Sequence, residues 1–174
     1  REYSYRWQCD RLYHCQPSLK SQIETTGETV KIALGSDHGG INLRQLIANH
    51  LSDAGHVISD FGTESTDSCD YPKFAESVSR AVTSGEAELG ILVCGSGIGM
   101  SIAANKVDGI RAALCFNTYM GRMTRLHNNA NVLCLGERVT GTGLALSIVD
   151  AFVTTKFEGG RHGRRVDKIA ELEN

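Results

Sequence analysis

The segment Ile91 to Lys106, ILVCGSGIGMSIAANK, constrains the fold of this chain more than any other. A β-rich apolar stretch, Gly90 to Val93, ends in a single thiol, Cys94, and runs into the glycine-alternating turn Gly95-Ser96-Gly97-Ile98-Gly99. A helix-forming segment, Met100 to Lys106, comes next. That order places a cysteine at the carboxyl end of a strand, beside free backbone N–H groups and close to a helix N-terminus. Such a turn binds anions, and the same field favours a thiolate over a thiol. A base or nucleophile therefore sits beside a cradle for an oxyanion or a phosphate.

Three familiar glycine-loop chemistries can be tested on these residues. A dinucleotide fingerprint needs G-x-G-x-x-G, but counting from Gly95 puts Met100 where the third glycine belongs, with Gly99 one residue early. A nucleotide-binding Walker loop is excluded because no Gly-Lys-Ser/Thr follows. A cysteine phosphatase would place an arginine six positions after its nucleophile. Met100 stands there and cannot pair with phosphate. The remaining alternative is a tight turn whose glycines only allow close strand–helix packing.

The rest of the chain repeats the strand-then-helix pattern. VKIALG (30–35), HVISDFG (56–62), LGILVC (89–94), IRAALC (110–115) and NVLCLG (131–136) read as strands. Helices are expected over Ile41–Ala54, Phe74–Thr83 after Pro72, Met100–Lys106, 117–126 and 143–154. The alternation implies an α/β/α sandwich on a mainly parallel five-stranded sheet, with ligands at the carboxyl ends of strands. SDHGG (36–40), CGSGIG (94–99) and LGERVTG (135–141) all follow strands, so their residues can converge on one edge. Beyond Lys156 the sequence turns polar and basic.

Length and composition bound the remaining classes. At 174 residues the chain suits one domain, and a hydrophobic fraction of 41% with a net charge of −2 is that of an ordinary globular protein. That charge leaves no footprint for general nucleic-acid binding, and no apolar run reaches the length of a membrane span. Of the six cysteines, Cys115 and Cys134 lie in strand-like runs and read as buried structural thiols. No spacing suggests a disulfide scaffold, which favours a reducing, cytoplasmic setting. Cys9, His14 and Cys15 have poor spacing for zinc and no second pair follows, so no metal site is expected. Residues 1–29 lack sustained periodicity and read as an appended arm of unknown role, ahead of one domain over 30–174. Arg1 rather than Met opens the chain, which leaves room for a segment upstream.

Three further groups of residues bear on chemistry. Asp37 and His38 follow the first strand directly; the pair can orient a substrate hydroxyl, with the carboxylate fixing the imidazole tautomer, or Asp37 can simply cap the next helix. His127 and Asn128 stand where a helix gives way to a strand, and the histidine alone would pass for a dipole-compensating cap. Arg161, His162, Arg164 and Arg165 form the best cationic cluster, suited to a phosphate dianion or else a solvated tail.

Taken together, SDHGG, the DYP at Asp70 to Pro72, CGSGIGMSIAANK, GIRAALC, HNNANVL, GERVTG and EGGRHGRRV closely resemble the ribose-5-phosphate isomerases of the B type, a family that includes galactose-6-phosphate isomerase subunits. The resemblance spans about residues 30–172 and implies a Rossmann-like fold and interconversion of ribose 5-phosphate and ribulose 5-phosphate without a cofactor. It assigns Cys94 as the base that moves a proton between C1 and C2 through an enediolate; members with a glutamate base carry it at the position of Met100. It assigns His127 to ring opening, Asp37 and His38 to sugar contacts, and Gly95, Ser96, Gly97, Ile98 and Gly99 to the anion-binding loop. Asn128, Arg138, Arg161 and Arg165 become further substrate contacts, with His162 in the same motif. It further implies a homodimer or dimer of dimers whose sites are shared between subunits. Ser96 or Asp37 is then available to relay a hydroxyl proton. An ordinary thiol, with a pKa of about 8.5, is mostly protonated at neutral pH, so the loop is expected to depress the Cys94 value. A six-carbon sugar phosphate, such as allose or galactose 6-phosphate, and a non-catalytic sugar-phosphate-binding module remain as alternatives.

Overall fold

A computed structural model describes residues 28–173 of the chain. Five strands, β1 (Lys31–Ser36), β2 (Val57–Asp60), β3 (Leu89–Cys94), β4 (Ala112–Leu114) and β5 (Val132–Gly136), form one sheet in the order β2-β1-β3-β5-β4. Every pairing is parallel. Among the described residues six α-helices accompany them: α1 (Ile41–Asp53), α2 (Pro72–Thr83), α3 (Ile98–Ala104), α4 (Thr118–Asn128), α5 (Thr142–Thr154) and α6 (Arg161–Ala170). The α/β sandwich expected from the sequence is therefore the fold observed.

Burial on both faces explains why the central strands read as unbroken apolar runs. Along β1, β3 and β5, Ile32, Leu34, Ile91, Val93, Leu133 and Leu135 point toward one core, shared with Leu43, Ile47 and Leu51 of α1 and Ile148 and Phe152 of α5. The alternate residues Ala33, Leu92, Val132 and Cys134 face a second core with Phe74 and Val78 of α2 and Met100 of α3. The period of two along each strand thus sorts side chains between two layers of helices.

Three differences from the sequence reading have physical causes. α2 begins at Pro72 rather than Phe74, because proline suits the first helical turn. α3 begins at Ile98, immediately after the left-handed Gly97, rather than at Met100. The basic segment after Lys156 is no solvated tail. Residues 161–170 form α6, whose one buried residue is His162.

Arg44 is a further departure. It lies on the buried face of α1 with a fully buried side chain. Its Nη1 donates to Asp60 Oδ1 at 3.0 Å and its Nη2 to Glu64 Oε1 at 2.6 Å. A Cβ at Gly62 would overlap the guanidinium, so glycine makes the room for it. The ion pairs tie α1 to the connection between β2 and α2. The Cys9, His14 and Cys15 group and nearly all of the N-terminal arm lie outside the described residues.

Candidate active site

The strand order reverses between β1 and β3, and β5 lies beside β3. In open parallel sheets a crevice forms outside the carboxyl ends of strands at such a point. SDHGG, the glycine loop and GERVTG leave β1, β3 and β5 at this edge, which brings Asp37, His38, Cys94, Gly95, Ser96, Gly97, Ile98, Gly99 and Arg138 into one region.

Cys94 is 6% exposed, and its Sγ accepts the Gly97 N–H at 3.1 Å. Gly97 makes that bond from a φ of 79°, and a Cβ there would lie 2.5 Å from Leu114 and 2.9 Å from the backbone of Leu135. Only glycine fits, for reasons of both conformation and space. Ser96 Oγ accepts the Ile98 N–H at 3.4 Å, which keeps the hydroxyl within the turn. The Arg138 side chain runs along Gly95, and the Tyr71 ring covers Gly99.

Asp37 is 7% exposed, and its Oδ1 accepts the Gly39 N–H at 2.9 Å. It does not cap α1, whose N-cap is Gly40. Nor does it fix the tautomer of His38. The His38 Nδ1 accepts the Cys69 N–H at 3.3 Å and lies 3.8 Å from the Cys69 thiol. With Nδ1 accepting, the proton of the neutral ring resides on Nε2. No sequence motif marks Cys69 for this part, which needs the β2–α2 connection folded back over β1.

The remaining candidates form a second group elsewhere. α4 returns from the carboxyl end of β4 toward the start of β5, which carries His127 and Asn128 to the amino edge of the sheet. There Arg125 lies beside Val30 and Leu89, at the starts of β1 and β3. The Glu158 N–H donates to the Leu126 carbonyl at 3.0 Å, so the chain ahead of α6 is docked against the same end of α4. The His127 and His162 rings stack with centroids 4.2 Å apart and planes within 6°. Glu158 Oε2 lies 3.8 Å from Nε2 of His127 and 3.7 Å from Nε2 of His162. Burial first, then the charges of His127 and Arg161, hold the His162 imidazole below its ordinary range; Glu158 opposes them and Arg165 adds to them. Arg161, at the first position of α6, donates from Nε to His162 Nε2 at 3.3 Å, and Arg165 stands one turn on, exposed.

His127, Glu158 and His162 are the described residues nearest to a metal-ligand set. Their arrangement does not suit a metal ion. Ring nitrogens in parallel stacked planes do not aim their lone pairs at one point about 2 Å from each, and an Arg161 N–H already occupies the His162 nitrogen. Arg161 and Arg165 supply the positive charge of this group, beside the two imidazoles and the Glu158 carboxylate.

Within one chain the two groups lie at opposite edges of the sheet, about 15–20 Å apart, the length of a five- or six-residue strand. The Cys94 loop and the His127–Arg165 group therefore do not meet in one copy. Between them, Ile98 and Ile102 of α3 and Phe116, Tyr119 and Met120 beside β4 are exposed apolar side chains at the free β4 edge.

Fold and site together define an α/β protein that holds a thiol against a backbone N–H at the switch point of a parallel sheet, with a separate cluster of histidines and arginines at the opposite edge. The chain belongs to the Ribose/Galactose Isomerase family, which matches residues 32–169. It is 48% identical over 143 residues to ribose-5-phosphate isomerase B of Escherichia coli, covering 82% of this chain and 96% of that protein. It is 41% identical over 146 residues to D-erythrulose-4-phosphate isomerase of Pectobacterium atrosepticum, covering 83% and 96%. The solved ribose-5-phosphate isomerase B of Clostridium thermocellum superposes with a TM-score of 0.81 at 57% identity, covering 82% of this chain and 97% of that one. Among the described residues no helix is long and apolar enough to cross a membrane.

Proposed function

We propose that this aldose–ketose isomerase interconverts D-ribose 5-phosphate and D-ribulose 5-phosphate, with Cys94 as the base. The observation that carries the reading is the Cys94 sulfur held by the Gly97 N–H at 3.1 Å, inside a glycine turn at the sheet's switch point. An isomerase of this kind needs a base within reach of both C1 and C2 and donors where enediolate charge develops. Cys94 removes a proton from C2 of the open-chain aldose and returns it to C1. Loop N–H groups from Gly95 to Gly99 hold the developing oxyanion, and Ser96 or Asp37 passes the hydroxyl proton from O2 to O1.

The cationic cluster completes the site from a second copy of the chain. His127 opens the sugar ring, Arg161 and Arg165 grip the phosphate with His162 beneath them, and Asn128, Arg138 and His38 contact the sugar. The separation of the two groups within one chain and the apolar side chains at the β4 edge support a dimer with shared sites. The four free thiols among the described residues suit a reducing compartment such as the cytoplasm.

Steady-state assay of Cys94→Ala with ribose 5-phosphate tests the reading. Turnover should fall by about 10²–10⁴-fold, the usual contribution of a general base, while a phosphorylated inhibitor still binds. Activity retained in Cys94→Ala removes the thiol from the mechanism. Because the relative from Pectobacterium atrosepticum acts on a different sugar phosphate, turnover of ribose 5-phosphate should be compared with erythrulose 4-phosphate and allose 6-phosphate. A preference for either of these over ribose 5-phosphate would overturn the pentose assignment.

A further inference from the structure

The loops that carry the two halves of the carboxyl-edge site are joined by one side chain outside every role assigned above. α1 starts directly after Asp37, His38, Gly39 and Gly40, and among the described residues no side chain of its N-cap satisfies its first N–H groups. Glu137, which leaves β5 in the GERVTG loop, supplies that cap from 94 residues away. Its Oε2 accepts the Leu43 N–H at 2.9 Å, and its Oε1 accepts from Asn42 Nδ2 at 2.9 Å. Its own N–H donates to the Cys94 carbonyl at 2.9 Å, and the next N–H, of Arg138, donates to the Gly95 carbonyl at 3.1 Å. Backbone and side chain of one residue thus hold the Cys94 loop on one side and the α1 N-terminus on the other.

No side chain separates the two loops it joins. A Cβ at Gly40 would lie 2.7 Å from the backbone of Val93, and one at Gly39 would lie 3.2 Å from the Gly95 nitrogen. The β1–β3 ladder ends at Ser36 and Val93, so beyond it the spacing of Asp37 and His38 from Cys94 rests on this backbone contact, and Glu137 is a further tie across it. A carboxylate at a helix N-terminus is also favoured by the helix dipole, which adds to the tie.

We propose that Glu137 is a positioning residue that sets the register between Asp37–His38 and the Cys94 loop during proton transfer. The inference rests on the isomerase reading. A shift of the order of 1 Å between base and hydroxyl contacts is enough to cost about 10²-fold in rate. The distant arginines still hold the phosphate after such a shift, so kcat should fall much further than KM rises.

The test is steady-state kinetics of full-length wild type, Glu137→Ala, Glu137→Gln and Asn42→Ala with ribose 5-phosphate, with thermal melts of each. Glu137→Ala should lower kcat tenfold or more and leave KM within about threefold. Glu137→Gln should recover most of that loss, because its carbonyl oxygen still accepts the Leu43 N–H and the Asn42 amide can turn its oxygen toward the new NH2. Asn42→Ala removes one of the two bonds from an exposed position and should give a smaller loss of kcat, so the inference stays testable even if Glu137→Ala unfolds. Unchanged kcat in Asn42→Ala and Glu137→Ala overturns the positioning role, as does a loss that glutamine does not restore. Wild type without isomerase activity would instead defeat the isomerase reading, and this inference with it.

Discussion

Replacing Gly62 by alanine puts a methyl group where the Arg44 guanidinium lies, and the cost can be worked from the contacts that would be lost. Hydrogen bonds to charged groups contribute about 1.5–3 kcal/mol each. Asp60 is 38% exposed and Glu64 74% exposed, so the second bond counts for little more than a surface pair. The pair of bonds then contributes about 2 kcal/mol, and displacement of the packed arginine stem adds about 1 kcal/mol. Gly62→Ala and Arg44→Ala should each cost about 3 kcal/mol, a fall in Tm of roughly 6–12 °C at this chain length. The two losses share one cause. The double variant should therefore also lose about 3 kcal/mol rather than about 6, giving a coupling of about 3 kcal/mol in a urea-unfolding cycle. Additive losses would show that Gly62 and Arg44 act independently and would refute the account of the β2–α2 connection. Because Cys69 lies on that connection and donates to His38, KM for the sugar phosphate should rise in all three variants.

The other expectations are briefer. Arg161→Ala or Arg165→Ala should raise KM far more for phosphorylated than for unphosphorylated sugars in parallel assays; an equal loss on both would deny them the phosphate. His162 has a depressed pKa in the folded chain, so the unfolded chain binds its proton first as the pH falls through about 6.5, and stability present above that pH is lost below it. His162→Gln should therefore show a shallower fall in Tm than wild type between pH 7.5 and 5.5, and an identical slope would contradict this. Burial pushes the Cys115 thiol up to about 11, and burial, with Cys94 and Cys115 nearby, pushes Cys134 up as well. Alkylation of the native protein followed by peptide mapping should label Cys69 well before either of these two. Early labelling of Cys134 would mean that the centre of the sheet is open to solvent.

What the sequence revealed and what it hid follow from the range of the interactions concerned. β3, the glycine turn and the start of α3 are local in cause: an apolar run, a turn that needs Gly97 at positive φ, and a short helix. They are legible in consecutive residues to within two positions. Arg44 was hidden because its helical pattern reads as a polar site. Only the fold brings Asp60, Gly62 and Glu64 to it. α6 was hidden because a helix that buries little more than His162 leaves almost no hydrophobic periodicity behind. Glu137 stood in a motif that was noticed, yet its partners Asn42 and Leu43 are 95 and 94 residues away. The partner that sets the His38 tautomer was hidden for the opposite reason. Adjacency in sequence suggested a contact, but successive residues at a strand end diverge, and His38 turned to Cys69.

The placement of Cys94 at one edge of the sheet and His127 at the other has a genetic consequence. In the proposed dimer with shared sites, each chain contributes a thiol to one site and a histidine to another, so damage is divided rather than shared. A cell making one copy broken at the thiol and another broken at the histidine would assemble mixed pairs in which one site carries both defects and the other carries neither. Two null alleles would then complement each other, and a lesion at the β4 edge would silence two sites that are themselves intact.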